Sequence, residues 1–336
     1  MKARRGWAWP LVPVYAAGLA VKDGLRAAGL LPVKKLRWPV VSVGSLSAGG
    51  AGKTPVVIAL AKILHARGWT VDVLTRGYGR KGEGVVKVDP LCSTAAERFG
   101  DEPVMIARYA RVGVWVGAKR FLAGDAAELA SDTQMRCVHL LDDGFQHREL
   151  ARRVDIVLVT AQDLDDVLLP AGNLRERLAA LRRADVVVLR EEEQERVGPR
   201  LRGLIHAETS TWIIRRRLYC GAPKRESSAS RKVIAFCAIA RPEGFWSMLQ
   251  AAEFDLVNTV AFEDHHAYTM EDMDRLVEIA RENEATGFAM TTKDHVKISH
   301  PMMKRLLSIG PVAIVRLELR FVDEAGVMRD LEGRIG

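Results

Sequence analysis

Cysteine is scarce in this chain of 336 residues, and the four cysteines that occur lie far apart in the sequence. No two of them form a CxxC pair, so the sequence predicts neither a structural zinc site nor a disulfide framework. This usage is typical of a protein from a reducing cytoplasm. Internal repeats and low-complexity tracts are also absent, and the length is sufficient for two domains with a sizeable core.

Excess positive charge is nearly absent from most of the chain, although the formal net charge is +8. Residues 1–37 hold eight basic residues against one acid, a net charge of +7, which leaves +1 for the other 299 residues. A nucleic-acid-binding protein would carry its basic residues on the globular body, so we expect no such partner. A basic N-terminal segment around apolar residues instead predicts contact with an anionic membrane surface.

A long apolar run is missing as well. The N-terminal apolar stretch, residues 7–21, is shorter than the roughly 20 residues that span a bilayer, and two prolines interrupt its start. We predict that residues 13–31 form a helix lying in the membrane interface, with aromatic side chains at the headgroup level and Pro32 ending it. The alternative is a helix packed on the protein's own core.

From residue 38 onward, short β-branched apolar runs alternate with helical stretches. This alternation predicts an α/β fold with a mostly parallel sheet and helices on both faces. The predicted strands are residues 39–43, 71–74, 85–88, 112–116, 137–141, 156–159 and 186–189. The predicted helices between them are residues 55–67, 102–110, 119–130 and 174–183.

The pattern changes after residue 190, where an acidic run predicts a solvated loop or the end of a helix. A smaller α/β lobe follows a polar, Ser-rich link, and its second helix has a capping pair in Thr269 and Asp272. We expect the strand at 312–321 to return to the strand at 212–218 and join the lobes by two strands. The remaining predicted elements are strands at 232–239, 256–260 and 288–291, and helices after Pro242 and at 270–283.

A glycine-rich turn between a predicted strand and a predicted helix carries the strongest chemical signal. Its sequence, SAGGAGKT, has the strand–loop–helix context of a P-loop, in which backbone N–H groups converge on phosphate oxygens. Lys53 is predicted to reach the β- and γ-phosphates of ATP, and the Thr54 hydroxyl to bind Mg²⁺. Ser47 replaces the first glycine of the strict motif. The predicted nucleotide-binding residues are Ser47, Ala48, Gly49, Gly50, Ala51, Gly52, Lys53 and Thr54.

The predicted elements and the changes in composition divide the chain into five predicted parts. A basic, apolar N-terminal segment precedes the P-loop nucleotide-binding domain and a linker strand. A smaller C-terminal α/β lobe and a returning strand with a tail complete the chain. In order, these parts are residues 1–37, 38–210, 211–230, 231–311 and 312–336.

A P-loop enzyme also needs an acid at the end of a buried strand to anchor its metal ion. Asp142 follows such a strand and is the candidate, whereas Asp143 is the weaker one. On its own, Asp143 followed by glycine would indicate only a turn. The P-loop earlier in the chain favours the metal site.

Other candidate residues fall in loops where ligands of open α/β sheets bind, beyond the carboxyl ends of the strands. Arginines in residues 76–80 and 170–176 could clamp phosphate or could be ordinary surface residues. Asp101 opens a predicted helix, either as its N-cap or as a carboxylate that accepts a hydroxyl proton. His265 and His266 precede a helix of the second lobe, in a structural or a catalytic role.

These motifs together resemble the tetraacyldisaccharide 4′-kinase family of the lipid A pathway. The resemblance departs at residues 238–242, AIARP, where the family often has a Gly-rich turn. It implies ATP- and Mg²⁺-dependent phosphorylation of the 4′-hydroxyl of a tetraacyl glucosamine disaccharide 1-phosphate, at the cytoplasmic face of the bacterial inner membrane. The segments that carry it, in the family's order, are residues 42–57, 75–80, 100–103, 140–150, 169–176, 262–269 and 290–294.

The resemblance also implies roles for single residues. Asp101 is similar to the catalytic base and His265 to its partner, while Thr54, Asp142 and Glu102 form the implied metal set. We expect a monomer that is peripheral or monotopic, with the lipid A precursor and the membrane as its partners. The residues implied to contact nucleotide or disaccharide are Arg76, Tyr78, Arg120, His147, Arg175 and Glu176.

Three other hypotheses fit parts of the pattern. A P-loop NTPase could act as a protein-directed switch or metal-insertion chaperone, but residues 292–294 lack the spacer of the guanine-specific [NT]KxD motif. A membrane-bound nucleotide sensor would need no catalysis. A metallohydrolase would ignore the P-loop and use a cluster of Asp142, Asp143, His147, His265 and His266.

Overall fold

The computed structural model describes residues 5–48, 52–92, 94–131, 136–220, 232–240 and 242–336. Its strands are β1 (Val40–Ser45), β2 (Thr70–Thr75), β3 (Val86–Lys87), β4 (Gly113–Val116), β5 (Cys137–Asp142), β6 (Val154–Leu158), β7 (Val186–Arg190), β8 (Ser210–Cys220), β9 (Lys232–Cys237), β10 (Asp255–Ala261), β11 (Gly287–Thr291) and β12 (Val312–Phe321). Its α-helices are α1 (Val12–Ala27), α2 (Lys53–Ala66), α3 (Ala95–Phe99), α4 (Asp101–Ala110), α5 (Arg120–Leu129), α6 (Ala161–Asp165), α7 (Gln194–Leu201), α8 (Pro242–Ala251), α9 (Met270–Glu282), α10 (Thr292–His295), α11 (His300–Leu307) and α12 (Glu324–Ile335).

Within those ranges, all of these strands form one sheet in the order β10-β9-β11-β12-β8-β7-β6-β1-β5-β2-β4-β3. Adjacent strands are parallel except at β12–β8 and β4–β3, which are antiparallel. The predicted mostly parallel α/β fold is confirmed, and every predicted strand has a counterpart in the sheet.

Side chains along a strand alternate between two cores on opposite faces of the sheet. Val41 and Val43 of β1 belong to the core that α2, α4 and α12 cover, whereas Val40 belongs to the core under α5. Because helices bury both faces, the strands are continuous apolar runs rather than alternating patterns. A separate core lies between β9, β11 and the helices α9 and α11.

The predicted pairing of the two connecting strands is confirmed. β8 and β12 are antiparallel, with Leu218 opposite Leu317 and Ile214 opposite Phe321. β12 begins among side chains of the C-terminal half and ends in the core of the N-terminal half, where Phe321 is buried. The two strands therefore join both halves into one sheet.

One prediction about helices is wrong. Residues 174–183 are not one helix, because the N–H groups of Leu174 and Arg175 bond to the carbonyls of Val167 and Leu46, and only a 3₁₀ turn at Leu178–Arg183 follows. The tail after the last strand, for which the sequence predicts no element, contains helix α12. Its apolar face, which includes Met328 and Leu331, is buried against the sheet.

The N-terminal helix exists but ends earlier than predicted. A 3₁₀ turn leads into α1, which ends at Ala27 because Gly29 adopts φ +71° and its N–H bonds back to the carbonyl of Arg26, well before Pro32. Val14 and Val21 on this helix are exposed, whereas Ala16 is buried. Across the described ranges, no helix is both long and apolar enough to cross a bilayer.

Candidate active site

A cavity of about 1090 Å³ opens at the carboxyl ends of β2 and β5 and extends to the C-terminal half. Parallel strands bring their carboxyl ends to one edge of the sheet, which is where ligands bind in such folds. The predicted site residues that line the cavity are Gly52, Lys53, Thr54, Arg76, Tyr78, Glu102, Arg120, Asp142, His147, Arg175 and His265.

Lys53 begins helix α2 directly after Gly52, whose φ of +89° favours glycine. The Lys53 ammonium donates to Oγ of Ser45 at 3.1 Å and lies 3.3 Å from Oδ1 of Asp143. A lysine and a helix N-terminus that face one cavity form an anion site suited to the phosphates of ATP.

The start of the glycine-rich turn lies against the loop that contains Arg175. Ser47 is buried and pairs with Leu174, and the N–H of Ala48 donates to the carbonyl of Asn173 at 2.8 Å. Neither Ser47 nor Ala48 lines the cavity. The predicted phosphate-binding residues Gly49, Gly50 and Ala51 lie outside the described residues.

Asp142 ends strand β5 and is almost fully buried. Its Oδ2 accepts a hydrogen bond from Thr75 at 3.3 Å, whereas its Oδ1 has no hydrogen-bond partner among the described residues. Burial, together with the charges of Glu102 and Asp143, raises the pKa of Asp142 to about 7 despite the nearby Lys53. A buried carboxylate oxygen without a donor is suited to a hard cation such as Mg²⁺.

Glu102 faces the same part of the cavity from the first turn of α4. Burial raises the pKa of this carboxyl, and the Lys293 ammonium opposes the effect. Two acids that are held close together in a dry site repel each other unless a cation lies between them. The donor set of Thr54, Glu102 and Asp142 therefore fits Mg²⁺.

Asp101 and His265 come together from different halves of the sheet. Nδ1 of His265 lies 3.0 Å from Oδ2 and 3.2 Å from Oδ1 of Asp101, which is buried beside the cavity. Burial acts to raise the pKa of Asp101, but the hydrogen bond with His265 and the Lys293 charge outweigh it, so the pKa lies below its usual range. Asp101 is the first residue of α4, and Gly100 holds the N-cap position instead.

Basic side chains also line the cavity beside Asp143. Nη1 of Arg175 donates to Oδ2 of Asp143 at 2.7 Å and to Oε1 of Gln146 at 3.3 Å. Arg120 is buried, and its Nε has no hydrogen-bond partner among the described residues. Burial and the Arg120 charge lower the pKa of His147 to about 4, so this imidazole is neutral near pH 7.

Other predicted contact residues differ in their placement. Tyr78 is 70% exposed, and its ring centroid lies 5.6 Å from that of His265. Arg76 lines the cavity beside it. Glu176 does not line the cavity and instead accepts a hydrogen bond from Arg183 at 2.7 Å.

His266 points away from the acids at the cavity. Its Nε2 lies 2.8 Å from Oδ2 of Asp272, in the predicted capping box of Thr269 and Asp272, which is confirmed. Among the described residues, no three His, Cys, Asp or Glu side chains are arranged to hold a metal ion. The geometry gives no support to the metallohydrolase hypothesis.

Two residues near the site, Gln146 and Lys293, carry no predicted role, and Tyr15, one of the aromatic residues predicted at the headgroup level, also reaches the site. The hydroxyl of Tyr15 donates to the carbonyl of Arg175 at 2.9 Å, and Lys293 contacts His265. No spacing in the sequence indicates the Tyr15 contact, because 160 residues separate the two partners. Lys293 lies in the segment MTTKD, which follows a predicted strand and is one of the segments that carry the family resemblance, so the sequence could have indicated this residue.

Comparison with known proteins decides the family. Residues 5–336 match the family described as tetraacyldisaccharide-1-P 4′-kinase. The chain belongs to this family. Its members include a tetraacyldisaccharide 4′-kinase of Koribacter versatilis, which is 37% identical over 329 residues, covering 96% of this chain and 97% of that relative.

Two further similar proteins support the same family assignment. A tetraacyldisaccharide 4′-kinase of Geobacter metallireducens is 37% identical over 320 residues, covering 92% of each chain. The crystal structure of LpxK from Aquifex aeolicus in complex with ATP is similar with a TM-score of 0.78 at 29% identity, over 99% of both chains. The predicted family and the predicted fold are both confirmed.

Proposed function

We propose that this kinase transfers the γ-phosphate of ATP to the 4′-hydroxyl of a tetraacylated glucosamine disaccharide 1-phosphate. The observation that carries the proposal is that Lys53 and His265, the partner of Asp101, line one cavity in a member of this family. Lys53 suits a polyphosphate, and the Asp101–His265 pair suits a hydroxyl that must lose its proton.

Phosphoryl transfer depends on alignment and charge neutralisation more than on covalent help. We assign Lys53 to the β- and γ-phosphates, with the N-terminus of α2 as a further source of positive potential. Thr54, Glu102 and Asp142 would hold Mg²⁺, which supplies charge neutralisation at the phosphate oxygens when bound. The unpaired Oδ1 of Asp142 supports this assignment.

Asp101 serves as the general base in this proposal. It accepts the proton of the 4′-hydroxyl as the new O–P bond forms and the bond from phosphorus to the bridging oxygen of ADP breaks. The imidazole of His265, with Nδ1 3.0 Å from Oδ2 of Asp101, stabilises the negative charge of this carboxylate. A base of this kind contributes typically ~10²–10⁴-fold to a rate.

The basic side chains beside Asp143 and His147 are assigned to the substrate. Arg120 and Arg175 carry charges suited to the 1-phosphate, and the neutral His147 beside them can accept or donate a hydrogen bond. Arg76 and Tyr78 remain candidates for contacts to nucleotide or sugar. Glu176 is assigned to holding Arg183 in place rather than to the substrate.

We place the reaction at the cytoplasmic face of the bacterial inner membrane, with a monomer bound through its N-terminal segment. The apolar side chains that α1 exposes and the basic residues around it support this placement. The predicted parts at 1–37, 38–210, 211–230, 231–311 and 312–336 serve as working domain boundaries.

The test is incubation of the purified protein with ATP, Mg²⁺ and the disaccharide 1-phosphate in detergent micelles. Mass spectrometry should detect a second phosphate on the lipid, and Lys53→Ala should abolish it. A lipid that stays singly phosphorylated while ATP is hydrolysed only in the presence of a protein partner would favour a protein-directed NTPase instead.

A further inference from the structure

Lys293 lies in α10 and directs its ammonium group at His265. Its Nζ lies 3.3 Å from Nε2 of His265, 3.0 Å from Oδ1 of Asp264 and 3.8 Å from Oδ2 of Asp101. We propose that Lys293 is a positioning residue that fixes the tautomer of His265, with the proton on Nδ1 and the lone pair on Nε2. This inference rests on the proposed role of Asp101 and His265 as base and partner.

The tautomer follows from counting donors and acceptors. A protonated lysine has three N–H donors and no acceptor, so the Nε2 atom that it contacts must offer a lone pair. A neutral imidazole that accepts at Nε2 carries its proton at Nδ1. That N–H points at the Asp101 carboxylate, whose Oδ2 lies 3.0 Å from Nδ1. Lys293 at Nε2 and Asp101 at Nδ1 therefore favour the same tautomer of the His265 ring.

The charges around Lys293 favour its protonated form. Burial acts to lower the pKa of this ammonium, but the carboxylates of Asp101, Glu102 and Asp264 outweigh the effect and raise the pKa. The Lys293 charge also acts on the pKa of His265. The hydrogen bond to Asp101 raises that pKa, and the Lys293 charge opposes the rise. Lys293 thus acts against a second proton on the imidazole.

The backbone around Lys293 is held in place by hydrogen bonds, so the side chain extends from a fixed Cα position. Thr291 caps α10 by accepting the N–H of Asp294. The Asp294 carboxylate is fully buried and accepts from the hydroxyl of Tyr268 and the N–H of Ala238, each at 2.9 Å. Such support restricts the Lys293 side chain to the neighbourhood of His265.

A fixed tautomer matters because Asp101 must keep its basicity. An imidazolium in contact with Asp101 would form a full ion pair and lower the proton affinity of the carboxylate further. The other tautomer, with its proton on Nε2, would turn the lone pair of Nδ1 toward the Asp101 carboxylate and leave it without this donor. With Lys293 on Nε2, the carboxylate receives one N–H donor and retains lone pairs for the substrate hydroxyl.

The proposal is tested on the free enzyme by ¹⁵N NMR of histidine-labelled protein near pH 7.5. Wild type should show a protonated Nδ1 and an unprotonated Nε2 for His265, with its signals assigned by their loss in His265→Gln. In Lys293→Met we expect Nε2 to gain a proton. Lys293→Arg, which keeps the donors, should retain the wild-type signals. Lys304→Met, an exposed lysine of α11, serves as the matched control.

Kinetics provide the second measurement. Lys293→Met should lose about 10–100-fold in turnover, as outer partners of catalytic groups commonly do, with little change in the KM for ATP and an unaltered circular dichroism spectrum. Lys293→Arg should recover part of that loss. A protonated Nε2 in wild type, unchanged turnover in Lys293→Met, or lost turnover with unchanged His265 signals would each overturn the proposal. Because the NMR experiment needs no lipid, absence of lipid phosphorylation would refute the proposed function alone.

Discussion

The carboxylate of Asp101 lies 3.0 Å from Nδ1 of His265, although 164 residues separate them in the sequence. Asp101 begins α4 beside the P-loop, whereas His265 follows β10 at the far edge of the sheet. His265 also has a φ of +65°, a left-handed conformation that few side chains adopt. The pair therefore exists only while the two halves are packed together.

Replacing the base should separate chemistry from binding. We expect Asp101→Asn to lower turnover by about 10²–10⁴-fold, because the amide cannot accept the hydroxyl proton, while ATP affinity changes little. Phosphate transfer to the lipid and calorimetric titration with ATP measure the two quantities. Asp125→Asn, an exposed acid on α5, is the control. Equal losses of turnover and ATP affinity would argue against the base role.

Asp142→Asn should stabilise the protein in a buffer that contains a chelator. The pKa of Asp142 is raised from 3.8 to about 7 in the folded state, so this group favours folding at low pH and loses that contribution as the pH rises through about 7. Asparagine carries no charge, and the gain at pH 8 should be on the order of 1–4 kcal/mol. Thermal melting at pH 8 and pH 5 should show the gain shrinking at the lower pH.

Asp143→Asn is the matched comparison, because the pKa of Asp143 is shifted in the opposite direction to that of Asp142. Burial acts to raise its pKa, but Lys53 and Arg175 outweigh it and lower the pKa below its usual range. The ionised form therefore stabilises the fold at pH 8, and removing it should lower the melting temperature. Two variants that shift the melting temperature in the same direction at pH 8 would refute the opposite effects assigned to the two carboxylates.

Tyr15→Phe tests the link between the N-terminal helix and the substrate site. The hydroxyl of Tyr15 donates to the carbonyl of Arg175, whose guanidinium is assigned to the 1-phosphate of the lipid. Loss of one such hydrogen bond is worth about 1 kcal/mol, so the KM for the lipid should rise about 5-fold. The KM for ATP should stay near the wild-type value. Tyr219→Phe, on β8, is the control, and an unchanged lipid KM in Tyr15→Phe would contradict the link.

Gly44→Ala should destabilise the loop that holds the acids of the site. A Cβ at Gly44 would lie 2.5 Å from Cβ and 2.7 Å from the backbone nitrogen of Phe145, a fully buried residue. The loop must move, at a cost on the order of 1–3 kcal/mol. Urea unfolding measures the loss. Gly198→Ala in α7, where no atom lies within 4 Å of the added Cβ, should be neutral or stabilising.

The sheet was predictable because each strand is a short β-branched run that both layers of helices bury. Helix α12 was not, since its buried residues are spaced among charged ones and its partner surface exists only after β12 has joined the sheet. Residues 174–183 have good helix formers, but their backbone pairs with distant loop residues. In both segments the secondary structure depends on tertiary contacts that a local sequence pattern does not contain.

The site was predictable to the extent that its residues lie in local motifs. Lys53, Thr54 and Asp142 follow from strand ends and a glycine-rich turn, and the structure brings them to one cavity. Tyr15 and Lys293 act on residues that are remote in the sequence, so no local pattern indicates their contacts. Their roles follow from distances between atoms.

The chain crosses between the two halves of the molecule twice, outward through β8 and back through β12. Helix α12 then completes a core that was begun almost three hundred residues earlier, with Trp69 donating to Glu332 across it at 3.3 Å. During synthesis on the ribosome, the half that contains Lys53 cannot finish folding until the other half has been made. A nascent chain halted before residue 324 would leave the apolar surface that α12 covers open to chaperones.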